Sequence, residues 1–313
     1  MTNATGQPTN DNVAHVPSAR TSRSLQNVSR ITLDHVWLAA ALILLALRPL
    51  LTPIRPHDFW WHMATGRLIV QNGAIPAVDQ FSYTQAGQPF YNQGWLSQVL
   101  MYGLYQAGGL PLLLIVQALV IVLAYGLLLR VVVLRTGRLR LGVGLVLLSM
   151  AVVFDNWLIR PQSYALPLFA AFLLILTEFR LGRANRLWLL PLLMTLWVNI
   201  HGTFVLGLVL IGLTFVGELL QGRMTNDERR TVHAPFRPSS FVLRPLVLWG
   251  ALTGLAVLLN PRGFGVIGYV RGLLGSSAVT TLVTEWAPPT PRDLGGALFF
   301  IFVLVCIVAL AAA

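Results

Sequence analysis

The sequence predicts an all-α, polytopic transmembrane helix bundle, and three observations predict it. Of 313 residues, 56% are hydrophobic and only 11% charged, whereas a water-soluble surface needs roughly a quarter of residues charged. Apolar runs of helical length recur along the whole chain. Basic residues gather in alternate connections between those runs, as expected when one side of a bilayer retains positive charge.

The runs fall at about 36–54, 110–133, 141–157, 164–179, 187–200, 204–220, 245–259 and 294–313, which predicts about eight spans. The fifth and seventh are shorter than the roughly 20 residues of a free-standing span, so they are expected to extend into their flanks or lie inside the bundle. Residues 95–107 are apolar but too short to cross, and are expected to form an interfacial helix in the first outer loop. If they crossed, Arg135, Arg138 and Arg140 would be carried to the wrong side.

Residues 1–34 are polar, rich in Thr, Asn, Ser and Arg, and lack the apolar core of a cleavable signal, which predicts a disordered cytoplasmic tail. The transmembrane domain is then 35–313, with long outer loops at about 55–109 and 260–293. The last apolar run has no polar flank after it, so the domain is expected to be truncated at its C-terminal end or to be a shortened relative. With the tail inside, 15 of the 22 basic residues, all arginine, fall on the cytoplasmic side.

Composition excludes several classes. The net charge of +11 invites a nucleic-acid reading, but the arginines lie between apolar runs rather than along one face, so no nucleic acid is expected. The single cysteine, Cys306, rules out an intramolecular disulfide and a cysteine-based metal site. Neither a glycine-rich nucleotide loop nor a zinc signature appears. The span centres carry little beyond Gln117, Ser149 and Thr195, which argues against an ion-coupled transporter and ranks a flippase low.

Polar residues from distant parts of the chain converge at the inferred outer rim: Arg48, Arg55, Asp58, His62, Asp79, Asp155, Arg160, Gln162, Asn199, His201, Asn260, Arg262 and Glu285. Carboxylates can take a proton from an attacking hydroxyl, and guanidinium groups can steady a departing phosphate. Asp58 and Asp79 are the catalytic candidates. Arg48, Arg55, His62, Arg160, Gln162, Asn199, His201, Arg262 and Glu285 are the candidates for holding substrate or phosphate.

Each has a plainer reading beside it. Asp58 can cap the helix that follows it, Asp79 can close an ordinary turn, and Arg48 can extend outward past the hydrocarbon edge. Trp60, Trp61, Trp95, Trp157 and Trp286 fit an interfacial aromatic belt. His57, His62 and His201 with Asp58 or Asp79 supply groups that can bind a divalent cation, but their spacing follows no tight ligand motif, so a metal site is left open.

The run Asp58-Phe59-Trp60-Trp61-His62-Met63-Ala64-Thr65-Gly66-Arg67, continued by Gly73-Ala74-Ile75-Pro76 and Asp79-Gln80-Phe81-Ser82-Tyr83-Thr84, resembles the first outer loop of bacterial GT-C glycosyltransferases. Arg160-Pro161-Gln162 and Trp197-Val198-Asn199-Ile200-His201-Gly202 resemble the same group. The resemblance implies a GT-C-like bundle with a cytoplasmic N-terminus in the bacterial inner membrane, and interfacial helices and an essential carboxylate in the first outer loop, here matched by Asp58. It further implies an inverting transfer of a sugar from a polyprenyl-phosphate carrier to a lipid, glycan or protein acceptor, with Asp58 as base or orienting group. Two features depart from the group: Gly94 stands where an acidic residue is usual before the tryptophan, and eight spans are fewer than usual. A non-catalytic scaffold or lipid-binding subunit on the same bundle is the second reading.

Overall fold

A computed structural model describes residues 31–54, 58–152, 157–223, 239–275 and 288–311. Helix α1 (Leu33–Leu51) begins at Thr32, whose side chain accepts from the His35 backbone while the His35 ring accepts from the Thr32 backbone. This reciprocal cap satisfies two N–H groups that a helix start leaves orphaned. The chain therefore turns helical two residues before the predicted end of the tail, and residues 1–30 lie outside the described part.

Helix α2 (Phe59–Asn72) stops at Gly73, whose φ of 63° is the left-handed conformation that glycine adopts without steric cost. The loop that follows folds back on itself through Asp79 N donating to Gln88 O (2.8 Å) and Phe90 N to Ala77 O (2.8 Å). Helix α3 (Trp95–Thr136) is interrupted at Gly108 and at Gly109, with φ 63° and ψ −158° at Gly109, just ahead of Pro111. Only glycine reaches that backbone conformation readily, and proline cannot donate into the preceding turn. The stretch 95–107 is thus a helix distinct from the long apolar segment after it, as its length predicts.

The remaining helices are α4 (Leu139–Val152), α5 (Pro161–Arg180), α6 (Leu189–Ile200), α7 (Val205–Arg223), α8 (Ser239–Ala256), α9 (Gly265–Gly275) and α10 (Leu294–Ala311). Short 3-10 turns at Gly202–Phe204 and Val257–Leu259 precede α7 and prolong α8. Among the described residues each of the eight predicted runs contains a helix, and no strand forms.

Among the described residues, five of the helical stretches are long and apolar enough to cross a membrane: Leu33–Leu51, Trp95–Thr136, Pro161–Arg180, Gly202–Gln221 and Val242–Leu259. The apolar helices Leu139–Val152, Leu189–Ile200 and Leu294–Val308 are shorter. The seventh run gains length from residues on its N-terminal side. The fifth stays at 12 residues, because His201 leaves the helix with φ −160° and ψ 149°.

One core cluster joins α5 to α8 around Trp197, Phe172, Met194 and Leu246. A second packs α1, α3 and α4 around Leu45, Ile121, Tyr125 and Val143, and a third seats α2 on α3 through Phe59, Met63, Met101 and Leu113. Outside these clusters Leu119, Leu213, Leu220 and Leu255 are each between 60 and 65% exposed. So wide an apolar exterior suits hydrocarbon and not water, which together with the five long apolar helices marks a membrane protein.

Charged pairs join helix ends at one extremity of the bundle. Arg140 at the start of α4 reaches Asp34 at the start of α1 (2.7 Å). The buried Glu178 near the end of α5 binds Arg130 of α3 (3.0 Å) and Arg186 before α6 (3.2 Å), and Arg180 binds Glu218 of α7 (2.6 Å). The end of α1 and the starts of α2 and α5 meet at the other extremity.

Candidate active site

Asp58 occupies the residue just before α2, yet its side chain makes no hydrogen bond to the helix start. Capping is therefore not its role. The carboxylate turns instead to the head of α5, where Arg160 donates to Oδ2 from Nε (2.9 Å) and from Nη2 (2.6 Å). His62, one turn along α2, brings Nε2 to 3.4 Å from the same oxygen. The other oxygen, Oδ1, is buried and has no hydrogen-bond partner among the described residues.

Burial opposes ionisation of Asp58, but the hydrogen bonds from His62 and Arg160, with the charge they bring, outweigh it. The carboxyl is held well below the usual carboxylate range. Such a group stays negative through the whole physiological range and is a strong hydrogen-bond acceptor but a weak base, because proton abstraction works best when the base's pKa lies near the working pH.

The His62 ring is fixed from behind. Its Nδ1 lies 3.0 Å from Gln98 Nε2, and Gln98 Oε1 accepts from Asn92 Nδ2 at 2.7 Å. Gln98 is 1% exposed, so this chain of bonds runs through the packed contact between α2 and α3. It exists because Gly66 lets the two helices touch: a Cβ built there would stand 2.2 Å from the Gln98 carbonyl oxygen.

Asp58 and Arg160 line a narrow cleft with a volume of about 20 Å³. Its walls are apolar, from Pro49, Ile54, Phe59, Leu114 and Ile159, with Thr52 and Gln117 as further polar groups. Gln117 Nε2 donates to the Trp157 and Leu158 carbonyls (3.2 Å each), while its buried Oε1 is unpaired among the described residues. Asp58 Oδ1 and Gln117 Oε1, two buried acceptors without a partner among the described residues, thus belong to residues that line one apolar-walled space, and a donor reaching them would satisfy them.

Other predicted residues take defined places. Gln162, with its amide turned so that oxygen faces the guanidinium, accepts from Arg160 Nη1 at 3.1 Å. His201 is pushed down to about 4, by burial first and then by the charges of Arg160 and His62, so the imidazole is neutral at physiological pH. Its Nδ1 accepts from Thr203 N (3.3 Å) and so starts the next turn. Arg48 donates through Nη1 to Thr52 Oγ1 (2.6 Å), one turn on and lining the Asp58 cleft.

Three candidates sit elsewhere. Asp79 closes its own turn: Oδ1 accepts from Phe81 N (2.8 Å) and Ser82 N (2.9 Å), and Oδ2 from Ser82 Oγ (2.6 Å). Those bonds hold its carboxyl below the usual range, and no contact joins it to Asp58 among the described residues. Asn199 is a strut, with Oδ1 accepting from Trp95 Nε1 (2.8 Å) and Asn260 Nδ2 (3.1 Å), and Nδ2 donating to Thr195 O and Leu259 O. Arg262 borders a different cleft. Arg55, Glu285, His57 and Asp155 lie outside the described residues.

Gln98, Asn92 and Gln117 complete the site and were absent from the predicted set. The sequence carried one signal for two of them: amides inside otherwise apolar helical runs, which are costly unless bonded. Among the described residues no group of three or more His, Cys, Asp or Glu stands close enough to hold a metal ion.

Gly94 packs closely, since a Cβ there would meet the Ile200 carbonyl oxygen at 3.2 Å and Pro161 at 3.5 Å. Gln93 beside it donates to the Val198 carbonyl, tying this turn to α6. Compared with family models, curated proteins and solved structures, the chain matches none.

Proposed function

We propose that the protein is a glycosyltransferase that moves a sugar from a polyprenyl-phosphate carrier to an extracytoplasmic acceptor at the Asp58 cleft. One observation carries the reading: a permanently ionised carboxylate, clamped on one oxygen by Arg160 and His62 and unpaired on the other, stands in a cleft with apolar walls. Apolar walls accept prenyl chain, and the unpaired Oδ1 accepts a hydrogen bond from a hydroxyl. The likeness of the Asp58–Thr84 stretch to GT-C first outer loops supports the same conclusion.

In this reading Asp58 orients the acceptor hydroxyl rather than removing its proton outright. The hydroxyl oxygen forms its bond to the anomeric carbon on the face opposite the phosphate, the bond from that carbon to the phosphate oxygen breaks, and the configuration inverts. The proton passes from the hydroxyl toward the departing polyprenyl phosphate, since a carboxyl this acidic does not keep it. Arg48, which donates to the cleft-lining Thr52, steadies the phosphate charge. The bundle would sit in a bacterial inner membrane with its N-terminus cytoplasmic and the Asp58 end outside, because the arginine-rich connections gather at the opposite end.

A second reading, a lipid-binding subunit without turnover, is favoured by Gly94, which supplies no carboxylate and whose Cβ would already meet the Ile200 carbonyl oxygen at 3.2 Å. Reconstitution in lipid nanodiscs with a fluorescent polyprenyl-phosphate sugar separates the two. Transfer to an acceptor lipid or glycan, falling at least about 100-fold in Asp58→Asn, supports the enzyme. Tight binding of the carrier with no transfer by the wild-type chain supports the subunit.

A further inference from the structure

A second cleft, of about 520 Å³ with its open mouth, is lined by Ile75, Ala77, Asn92, Trp95, Asn260, Pro261 and Arg262. It shares no lining residue with the Asp58 cleft. We propose that this second cleft binds a pyranose ring, stacked on Trp95 and hydrogen-bonded by Arg262 and Asn92.

The aromatic platform is held in advance. Trp95 Nε1 donates to Asn199 Oδ1 (2.8 Å), and Asn199 is itself tied into α6 and to Leu259, so the indole loses little freedom when a ligand lies on it. The C–H face of a pyranose carries slight positive charge and meets the negative face of an indole favourably.

The cation is held equally. Arg262 Nη2 donates to the Phe90 carbonyl (2.9 Å), its backbone N–H to Asn260 Oδ1 (3.0 Å), and its guanidinium lies 5.3 Å from the centre of the Tyr91 ring. Tyr91 stacks on Tyr269 at 4.5 Å and is pushed up to about 12 by burial. Its hydroxyl therefore remains protonated and donates to Asn260 (3.1 Å). Arg262 Nε and Nη1 make no hydrogen bond among the described residues, which leaves donors for hydroxyl or carboxylate oxygens.

Among the described residues the lining contains one guanidinium and no carboxylate, which favours a neutral or anionic polar ligand over a cation. Its apolar members, Ile75, Ala77 and Pro261, are too small and scattered to hold a lipid chain. Asn92 connects this cleft to the other one, since the bonds from Asn92 through Gln98 and His62 end on Asp58. Saccharide binding here is independent of the transferase reading; only its use as part of a transfer site rests on that reading.

The test is saturation-transfer NMR on the full chain in lipid nanodiscs, with methyl α-glucopyranoside and methyl β-glucuronide as probes. Both are expected to receive saturation at ring C–H protons. Trp95→Ala should weaken binding of both about tenfold or more, Trp95→Phe should restore most of it in a folded protein, and Arg262→Gln should weaken the glucuronide more than the glucoside. Asp58→Asn should leave binding unchanged. Absence of saturation transfer to both probes in the wild type, or wild-type binding by folded Trp95→Ala and Arg262→Gln proteins, overturns the proposal. Loss of sugar transfer in Asp58→Asn with saccharide binding indifferent to Trp95 and Arg262 would reject this cleft alone and leave the transferase standing.

Discussion

Arg160 donates two hydrogen bonds to one oxygen of Asp58 and leaves the other oxygen without a partner among the described residues. A guanidinium of this kind usually matches a carboxylate fork to fork. Here it occupies Oδ2 alone, which fixes the orientation of Asp58 and keeps Oδ1 available to a ligand.

If Arg160 and His62 keep Asp58 ionised against its own burial, removing Arg160 lets burial assert itself. The folded Asp58 lies below its unfolded value of about 3.9, so its stabilising effect is present above that pH and is lost as pH falls toward the folded value. In Arg160→Gln the acid limb of the transfer rate should move to higher pH than in the wild type. An unchanged acid limb in a folded Arg160→Gln protein would show that Asp58 does not govern the rate.

His201 acts in the same direction on acid stability, over a higher pH window. Its folded value is about 4 against about 6.5 in an unfolded chain, so the unfolded chain binds the proton first and stability declines as pH falls from about 6.5 to about 4. His201→Asn keeps a side chain able to accept from Thr203 N but has no proton to take up. Thermal melting across this window should fall less steeply in the variant, and identical slopes would refute the assignment.

Gly66→Ala should damage both packing and chemistry. The added methyl would stand 2.2 Å from the Gln98 carbonyl oxygen and 2.7 Å from its carbon, so α2 must move off α3 and the bond between His62 and Gln98 lengthens. Overpacking of this kind costs about 1–3 kcal/mol. A melting point within a degree of wild type would show that the helices give way freely.

Membrane sidedness is open to direct labelling once Cys306 is replaced by Ser. A cysteine at Tyr83, which is 99% exposed in the first loop, should react with an impermeant maleimide on intact spheroplasts. A cysteine at Arg183, beyond the end of α5, should react only after the membrane is opened. The reverse pattern would place the Asp58 end in the cytoplasm and remove the proposed donor.

The sequence foretold helices at all eight apolar runs and a separate helix at 95–107, since hydrophobic length and Gly108-Gly109-Leu110-Pro111 are local signals. It singled out Asp58, His62 and Arg160, which the fold unites at 3.4 Å or less. It did not place Gln98 in the site, because an amide in a short apolar stretch has no evident partner until Gly66 brings α2 onto it. Asp79 stands beside Asp58 in sequence as the weaker catalytic candidate, and its turn engages both of its oxygens.

What the sequence determined by itself is the solvent and the element type: so many apolar residues and so few charges require a bilayer, where backbone groups must bond within helices. What only the tertiary structure decided is which polar groups meet. Asp58 and Arg160 are 102 residues apart, and no periodicity encodes that encounter. It follows from apolar packing of α1, α2, α3 and α5, which leaves one carboxylate oxygen clamped and the other unpaired in a cleft with apolar walls.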